Sequence, residues 1–106
     1  MSPNGLITLR MKDIEKSWNE FLVKPFPGGQ AGIEIEGIEL ASLDTFAAGC
    51  IDTFIHNRGH LDQQQSSLLE DCVKDLDVIV THLDGETKIY FEHLRSLAKQ
   101  VLRSRR

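Results

Sequence analysis

The sequence lacks long hydrophobic runs. Among its 106 residues no unbroken apolar run is longer than three, as at residues 78–80, whereas a membrane-spanning helix needs about 20 mostly apolar residues. Residues 1–12 carry charge and contain no apolar stretch of the kind that marks a secretory signal peptide. We therefore expect no membrane contact and a soluble, cytoplasmic protein.

Cysteine, proline and glycine are also scarce, with two, three and eight residues. So little Gly and Pro excludes collagen-like and low-complexity classes. Cys50 and Cys72 do not match zinc or thioredoxin spacings, and both fall in apolar periodic segments, so we expect reduced thiols in the core. A chain of this length can bury about 65% of its surface, and we predict a single domain over residues 1–106.

Basic residues are nearly absent from the middle of the chain. Residues 25–87 contain twelve acids against only Arg58 and Lys74, a net charge of −10. From residue 93 to the end there are five bases and no acid, a net charge of +5, although the whole chain carries only −4. The charge is therefore divided by segment, and this division suggests an interaction surface.

Helical periodicity dominates what is present. Met11, Ile14 and Trp18 begin an apolar row with helical spacing that continues to residue 22. The predicted first helix ends near Val23, because Pro25 disfavours a helical conformation in the residue before it. Its start stays open, since residues 7–11 fit either a helix capped at residue 8 or a short strand.

Residues 33–40 alternate apolar and acidic side chains, with one change of phase at Gly37. This pattern predicts a bulged strand or a very tight hairpin, with its isoleucines against the helices. Glu34, Glu36 and Glu39 could form a paired-carboxylate site, but the simpler interpretation is the solvent face of an amphipathic strand.

Three further helices follow. The second is predicted from Ser42 to Gly59, with Gly49 marking a close approach of another backbone. The third begins at an Asp62 capping box and continues to residues 84–85, and the fourth starts at residue 86 or 87. We predict a mainly α fold: a four-helix bundle-like domain with a short β-hairpin or strand ribbon at about residues 32–41 between helices 1 and 2. The predicted core contains Trp18, Phe21, Phe46, Cys50, Phe54, Leu69, Cys72, Leu76, Ile79, Leu83, Phe91, Leu94 and Val101.

One cluster has metal-ligand chemistry. His56, His60 and Asp62 lie within seven residues, and two histidines with a carboxylate can bind zinc or another transition metal. Gly59, however, interrupts the helix between the two histidines, and the Asp62 carboxylate is needed as a helix cap. The preferred interpretation is two solvated histidines at a turn between helices.

The sequence shows little that is typical of a catalytic site. No Ser, Cys or Thr lies in a nucleophile elbow, and Cys50 and Cys72 occupy apolar helix faces that disfavour a thiolate. The glycine-rich residues 28–32 lack the Lys and Ser or Thr of a P-loop. His82 and His93 flank the turn between helices three and four without an obvious shared site. We therefore predict that the protein is not an enzyme.

The charged helix faces give the partner-binding prediction. Acids on helix three suggest docking of a basic partner, and bases recur every fourth residue on helix four. Ordinary explanations also fit, namely a solvated acidic face and cations that suit a helix C-terminus. The residues predicted to contact a partner are Glu70, Asp71, Asp75, Asp77, Arg95, Lys99 and Arg103.

The predicted function is a small acidic, non-enzymatic protein-binding module, such as an adaptor or an immunity-type inhibitor, acting on a basic protein partner. One alternative is a small metal- or ligand-dependent enzyme that uses His56, His60 and Asp62. Another is a self-associating structural subunit, a homodimer in which the basic C-terminal stretch docks on the acidic middle of a second copy. We expect no cofactor and no metal. We also expect no nucleic-acid partner, since no aromatic residues are interleaved with the bases.

Overall fold

The computed structural model describes the backbone of residues 3–105 and the side chains of residues 10–105. Within this part of the chain it is mainly helical, with four α-helices and a two-stranded sheet between the first two, so the predicted fold class is confirmed. The elements are α1 (Pro3–Leu22), β1 (Glu34–Ile35), β2 (Ile38–Glu39), α2 (Leu40–His56), α3 (Gln63–Ile79), a 3₁₀ turn (Val80–His82) and α4 (Gly85–Ser104). Arg106, counted in the basic C-terminal stretch, lies outside the described residues.

The first helix is continuous from Pro3. The choice left open at residues 7–11 is thereby settled as helix, and residue 8 is not its cap. The helix ends at Leu22, as Pro25 requires, and the backbone N–H of Lys24 donates to the carbonyl of Phe21 at 3.0 Å.

The ribbon is a very tight hairpin. Ile35 pairs with Ile38 in an antiparallel register, and the two turn residues Glu36 and Gly37 have φ values of 54° and 78°, as a two-residue primed turn needs. Ile35 and Ile38 pack against the core. Ile33 does not: its carbonyl accepts from the Leu40 N–H at 3.1 Å, but its side chain is 41% exposed. The expectation that it lies against the helices was wrong.

The joint between α2 and α3 follows the sequence closely. Gly59 adopts a φ of 92°, and its N–H donates to the Phe54 carbonyl at 2.9 Å. The Asp62 capping box is confirmed, because Gln65 N–H donates to Asp62 Oδ1 at 2.7 Å and the Gln65 side chain accepts from Asp62 N–H. The second helix itself ends at His56, slightly before the predicted boundary.

The joint between α3 and α4 differs from the prediction. The third helix ends at Ile79 and tightens into the 3₁₀ turn, after which Leu83 is extended. Leu83 is only half-buried, because it sits in this extended connection and not on the helix row expected for it. The fourth helix begins at Gly85.

The core is a continuous cluster of buried apolar side chains from all four helices. Its α2 contribution comprises Leu40, Leu43, Ala47, Cys50, Ile51 and Phe54. Two expectations for α2 were wrong. Phe46 is 53% exposed, since it is one residue, about 100°, away from Ala47 on the helix. A Cβ at Gly49 would meet nothing within 4 Å, so no backbone of residues 3–105 approaches there.

Helices α2, α3 and α4 each pack against the other two, and α4 also packs against α1. After α1 the chain crosses the start of α4, where Phe26 meets the Tyr90 ring edge-on at 5.8 Å and the Phe91 ring at 6.1 Å. None of the helices in residues 3–105 has both the length and the apolar character needed to cross a membrane.

Candidate functional site

The charged residues predicted to bind a partner lie on two different edges of α3. Glu70 and Asp77 are seven residues apart, which places them on one edge of the helix. Asp71 and Asp75 are four apart and lie on the opposite edge. The buried side chains of Leu69, Cys72 and Leu76 separate the two edges.

The first edge, which we call the α4 edge, is ion-paired within the chain. Asp77 Oδ1 accepts a hydrogen bond from Arg95 Nη1 at 3.3 Å and forms an ion pair with Lys99 Nζ at 3.1 Å. Glu70 Oε1 accepts from Arg105 Nη1 at 2.8 Å. The bases of α4 therefore neutralise the acids beside them, and the sequence separation of each pair shows that α3 and α4 run antiparallel.

The opposite edge carries acids that form no ion pair among the described residues. Leu68, Asp71, Asp75 and Val78 follow one another at intervals of three, four and three residues, so they form one stripe. Leu68, Asp71 and Val78 are exposed and Asp75 is half-buried. Two acids are thus placed between two exposed apolar side chains.

Phe46 lies on the side of α2 that faces this stripe. The α4-facing side of α2 is marked by Asp44, which accepts a hydrogen bond from Tyr90 Oη at 2.7 Å. Phe46, two residues later, is about 200° further around the helix. It therefore lies on the other side, where α2 borders α3.

The position of Phe46 along the helix axes, relative to α3, follows from a contact between α2 and α3. Cys50 Sγ donates to the Gln65 carbonyl at 3.7 Å. Phe46 is four residues before Cys50, and Leu68 is three residues after Gln65. Consecutive helices joined by a short connection run antiparallel, so both residues are displaced in the same direction along the helix axes, Phe46 by about 6 Å and Leu68 by about 4.5 Å. We define the α2–α3 surface as Phe46, Leu68, Asp71, Asp75 and Val78.

The two cysteines lie beneath this surface, and both are free and buried. Burial, together with the nearby Cys50, Asp75 and Asp71, raises the pKa of the Cys72 thiol to about 12. Burial and the Asp62 charge also raise the pKa of Cys50. Neither thiol is therefore activated as a nucleophile, since only the thiolate attacks.

Arg103 lies apart from the other predicted partner-binding residues. It lines a cleft of about 260 Å³ between α1 and α4, together with Arg10, Asp13 and Gln100. Asp13 places an acid among these bases. The structure thus separates Arg103 from the acids of α3 and from the stripe that contains Asp71.

The histidines at the α2–α3 joint do not converge. His56 Nδ1 contacts the Asp52 carbonyl at 2.8 Å and its carboxylate at 3.3 Å, while the Asp62 carboxylate caps α3. Across the described residues, no three His, Cys, Asp or Glu side chains are grouped so that they could bind a metal ion.

A group of polar side chains around His93, which the sequence did not predict, joins α1 to α4. His93 Nε2 lies 2.9 Å from Ser17 Oγ, and His93 Nδ1 lies 2.9 Å from Lys24 Nζ. Lysine only donates hydrogen bonds, so Nδ1 accepts from it and Nε2 carries the proton that it donates to Ser17. Burial and the Lys24 charge lower the pKa of His93, and Ser17 and Glu20 oppose the shift.

This arrangement does not activate the serine. A catalytic histidine must accept the proton of the serine hydroxyl, whereas Nε2 of His93 donates towards Ser17. The two hydrogen bonds of His93 instead connect α1, and Lys24 just after it, to α4. His82, the other histidine near the turn, lies 3.9 Å from Glu36 of the hairpin and not beside His93.

Comparison with known proteins gives no relative to reason from: no family model matches the chain, and neither the curated proteins nor the solved structures yield a match. The function is therefore inferred from the surface chemistry of the protein itself.

Proposed function

We propose that this protein is a non-enzymatic protein-binding module of the adaptor or inhibitor type, which binds a basic protein partner at Asp71 and Asp75. The observation that supports this most directly is the contrast along α3. Glu70 and Asp77 are paired with bases of α4, but Asp71 and Asp75 have no ion-pair partner among residues 10–105.

Electrostatics explains why such a surface favours a basic partner. Like charges four residues apart on a helix destabilise it by about 0.2–0.5 kcal/mol. A lysine or arginine from a partner would remove this repulsion on binding. A surface of one sign also attracts opposite charge during diffusion, which raises the association rate and discriminates between partners.

The self-association alternative has less support. It requires free bases in the C-terminal stretch to dock on the acidic middle of a second copy. Arg95, Lys99 and Arg105 are instead engaged with acids of their own chain. The enzyme alternative has less support as well, since His56 and Asp62 make separate local contacts.

The test compares two double charge reversals of equal net charge. One variant carries Asp71→Lys and Asp75→Lys, and the control carries Glu15→Lys and Glu34→Lys at exposed acids on α1 and β1. Each protein is immobilised, and basic proteins retained from cell extract are quantified by mass spectrometry. We expect wild type and control to retain the same basic proteins and the α3 variant to lose them.

Salt provides the second readout. Raising the salt from about 0.1 M to about 1 M shortens the screening length from about 10 Å to about 3 Å, and retention by the wild type should fall with it. If the α3 reversal retains the same proteins as the control, the proposed function is wrong.

A further inference from the structure

We propose that the α2–α3 surface is a docking site for an amphipathic, basic helix of the partner. The apolar side chains of that helix would pack on Phe46, Leu68 and Val78, and its Lys or Arg side chains would bind Asp71 and Asp75. This inference rests on the proposed function and adds to it the form of the partner.

The apolar half of the site is exposed to solvent. Phe46 is 53% exposed, and Leu68 and Val78 are each 40% exposed. Single exposed apolar residues are normal on protein surfaces. Here, however, two of them bracket the unpaired acids on one stripe, and an aromatic ring lies level with Leu68. Aromatic residues are enriched at protein interfaces, where they supply a large apolar contact.

The length of the stripe suits a helix. Leu68 and Val78 are ten residues apart, so they are separated by about 15 Å along α3. A partner helix presents its apolar anchors at positions i, i+3 or i+4, and i+7, and the same row continued by one turn to i+10 spans about 15 Å. Anchors on a helix of this kind can therefore reach the apolar side chains while its basic positions stand beside the acids.

Gly49 leaves room for close approach. It lies three residues after Phe46, on the same side of α2, and a Cβ there would meet no atom within 4 Å. Gly in a helix interior destabilises it by about 1 kcal/mol relative to Ala. Its open position beside Phe46 lets the backbone of a partner helix come near α2.

Charge complementarity decides which partner fits. The exposed Ile89 on α4 lies in another groove, lined by Lys24 and Glu86, where both signs of charge are present. The apolar residues of the α2–α3 surface instead have two acids between them, and Lys74, which lies beside the stripe on α3, forms no ion pair with either acid. An apolar row flanked by lysine or arginine matches that surface, and an acidic helix does not.

The experiment uses synthetic helices as probes. The first is a peptide of about 18 residues, or five turns, made of Leu and Lys with the leucines on one face. The second has the same composition in scrambled order without an apolar face, and the third replaces Lys by Glu. We expect the first to bind wild-type protein at least about tenfold more tightly than the second, by fluorescence anisotropy, and the third not to bind.

Two sets of variants locate the binding. The double variant Phe46→Ala with Leu68→Ala should abolish the preference for the periodic peptide. The control, Ile33→Ala with Ile89→Ala at exposed positions elsewhere, should keep it. Gly49→Gln separates binding from folding, because its side chain has open space in the free protein. It should raise the melting temperature and lower peptide affinity about tenfold or more.

The outcomes distinguish this inference from the proposed function. If both Lys peptides bind equally and Asp71→Lys with Asp75→Lys abolishes the binding, the acidic surface stands and the helix-docking inference is overturned. Periodic-peptide binding that survives both Phe46→Ala with Leu68→Ala and Gly49→Gln also overturns it, since the peptide then binds elsewhere. Failure of the periodic peptide to bind wild type overturns it as well.

Discussion

The two edges of α3 carry the same kinds of charge and have different surroundings. On the α4 edge, Asp77 meets Arg95 and Lys99, and Glu70 meets Arg105. On the edge that borders α2, Asp71 and Asp75 form no ion pair among the described residues, although Lys74 lies three residues after Asp71. Apolar side chains flank the two acids. The same helix therefore provides an internal ion-paired seam on one side and an unpaired acidic surface on the other.

This contrast between the two edges shows that the net charge of a stretch of sequence does not by itself identify an interaction surface. The middle of the chain has a net charge of −10 and the C-terminal stretch +5. Folding brings part of each against the other, so several acids and bases that look available in the sequence are paired. What remains exposed depends on which side of each helix an acid occupies.

The largest effect is expected at the core that holds both edges in place. Leu76 is fully buried between them, and Leu76→Ala should lower the free energy of unfolding by about 2–5 kcal/mol, through lost apolar burial and the cavity left behind. Val78→Ala, two residues away and 40% exposed, is the control and should change stability far less. Chemical denaturation measures both, and equal losses would contradict the placement of α3.

Much of the fold was predictable because its signals are local. The end of α1 follows from Pro25, the start of α3 from the Asp62 capping box, and the hairpin from alternation around Gly37. Each depends on side chains within a few residues, so the sequence suffices to place them. The helical assignment and the ribbon were predicted for the same reason.

Apart from the early end of α3 and the position of Leu83, the main failures depend on tertiary arrangement. Phe46 shares an apolar helical pattern with Ala47, yet packing buries one side of α2 and leaves Phe46 at its border. The pairing of Asp77 with α4, and of His93 with Ser17 and Lys24, joins residues far apart in the chain. No periodicity or motif carries that information, which is why the site prediction combined residues that the structure separates.

A second expected effect concerns the open side of α2. Gly49→Ala should stabilise the protein by about 1 kcal/mol, because alanine has the higher helix propensity and its Cβ meets no atom within 4 Å. Gly59→Ala is the contrasting control and should destabilise, since Gly59 adopts a φ of 92° that an L side chain rarely accepts. Thermal melts check both. A loss of stability in Gly49→Ala would mean that the side of α2 beside Phe46 is covered.

The third effect lies on the side of α4 away from α3. Burial and Lys24 lower the pKa of His93, so the unfolded chain binds the proton more readily than the folded protein. Stability should therefore be complete above the ordinary histidine pKa of 6.5 and fall as the pH decreases from there through the lowered pKa. Urea titrations across this pH range should show that the free energy of unfolding of His93→Gln depends less on pH than that of the wild type. The same pH dependence in the two proteins would contradict the prediction.

The smallest predicted changes in the free energy of unfolding test the two edges of α3 directly, because a substitution on each edge should change it in opposite directions. Asp77→Asn breaks the ion pairs with Arg95 and Lys99 and should lower the free energy of unfolding by about 0.2–1 kcal/mol, the range for exposed pairs. Asp75→Asn relieves the repulsion with Asp71, has no base three or four residues away on α3, and should raise it by about 0.2–0.5 kcal/mol. Both differences should shrink in high salt, since screening weakens exposed charges. Equilibrium denaturation at low and high salt gives the four values. A loss of equal size in both variants would mean that Asp75 is stabilised by a base and that the two edges do not differ.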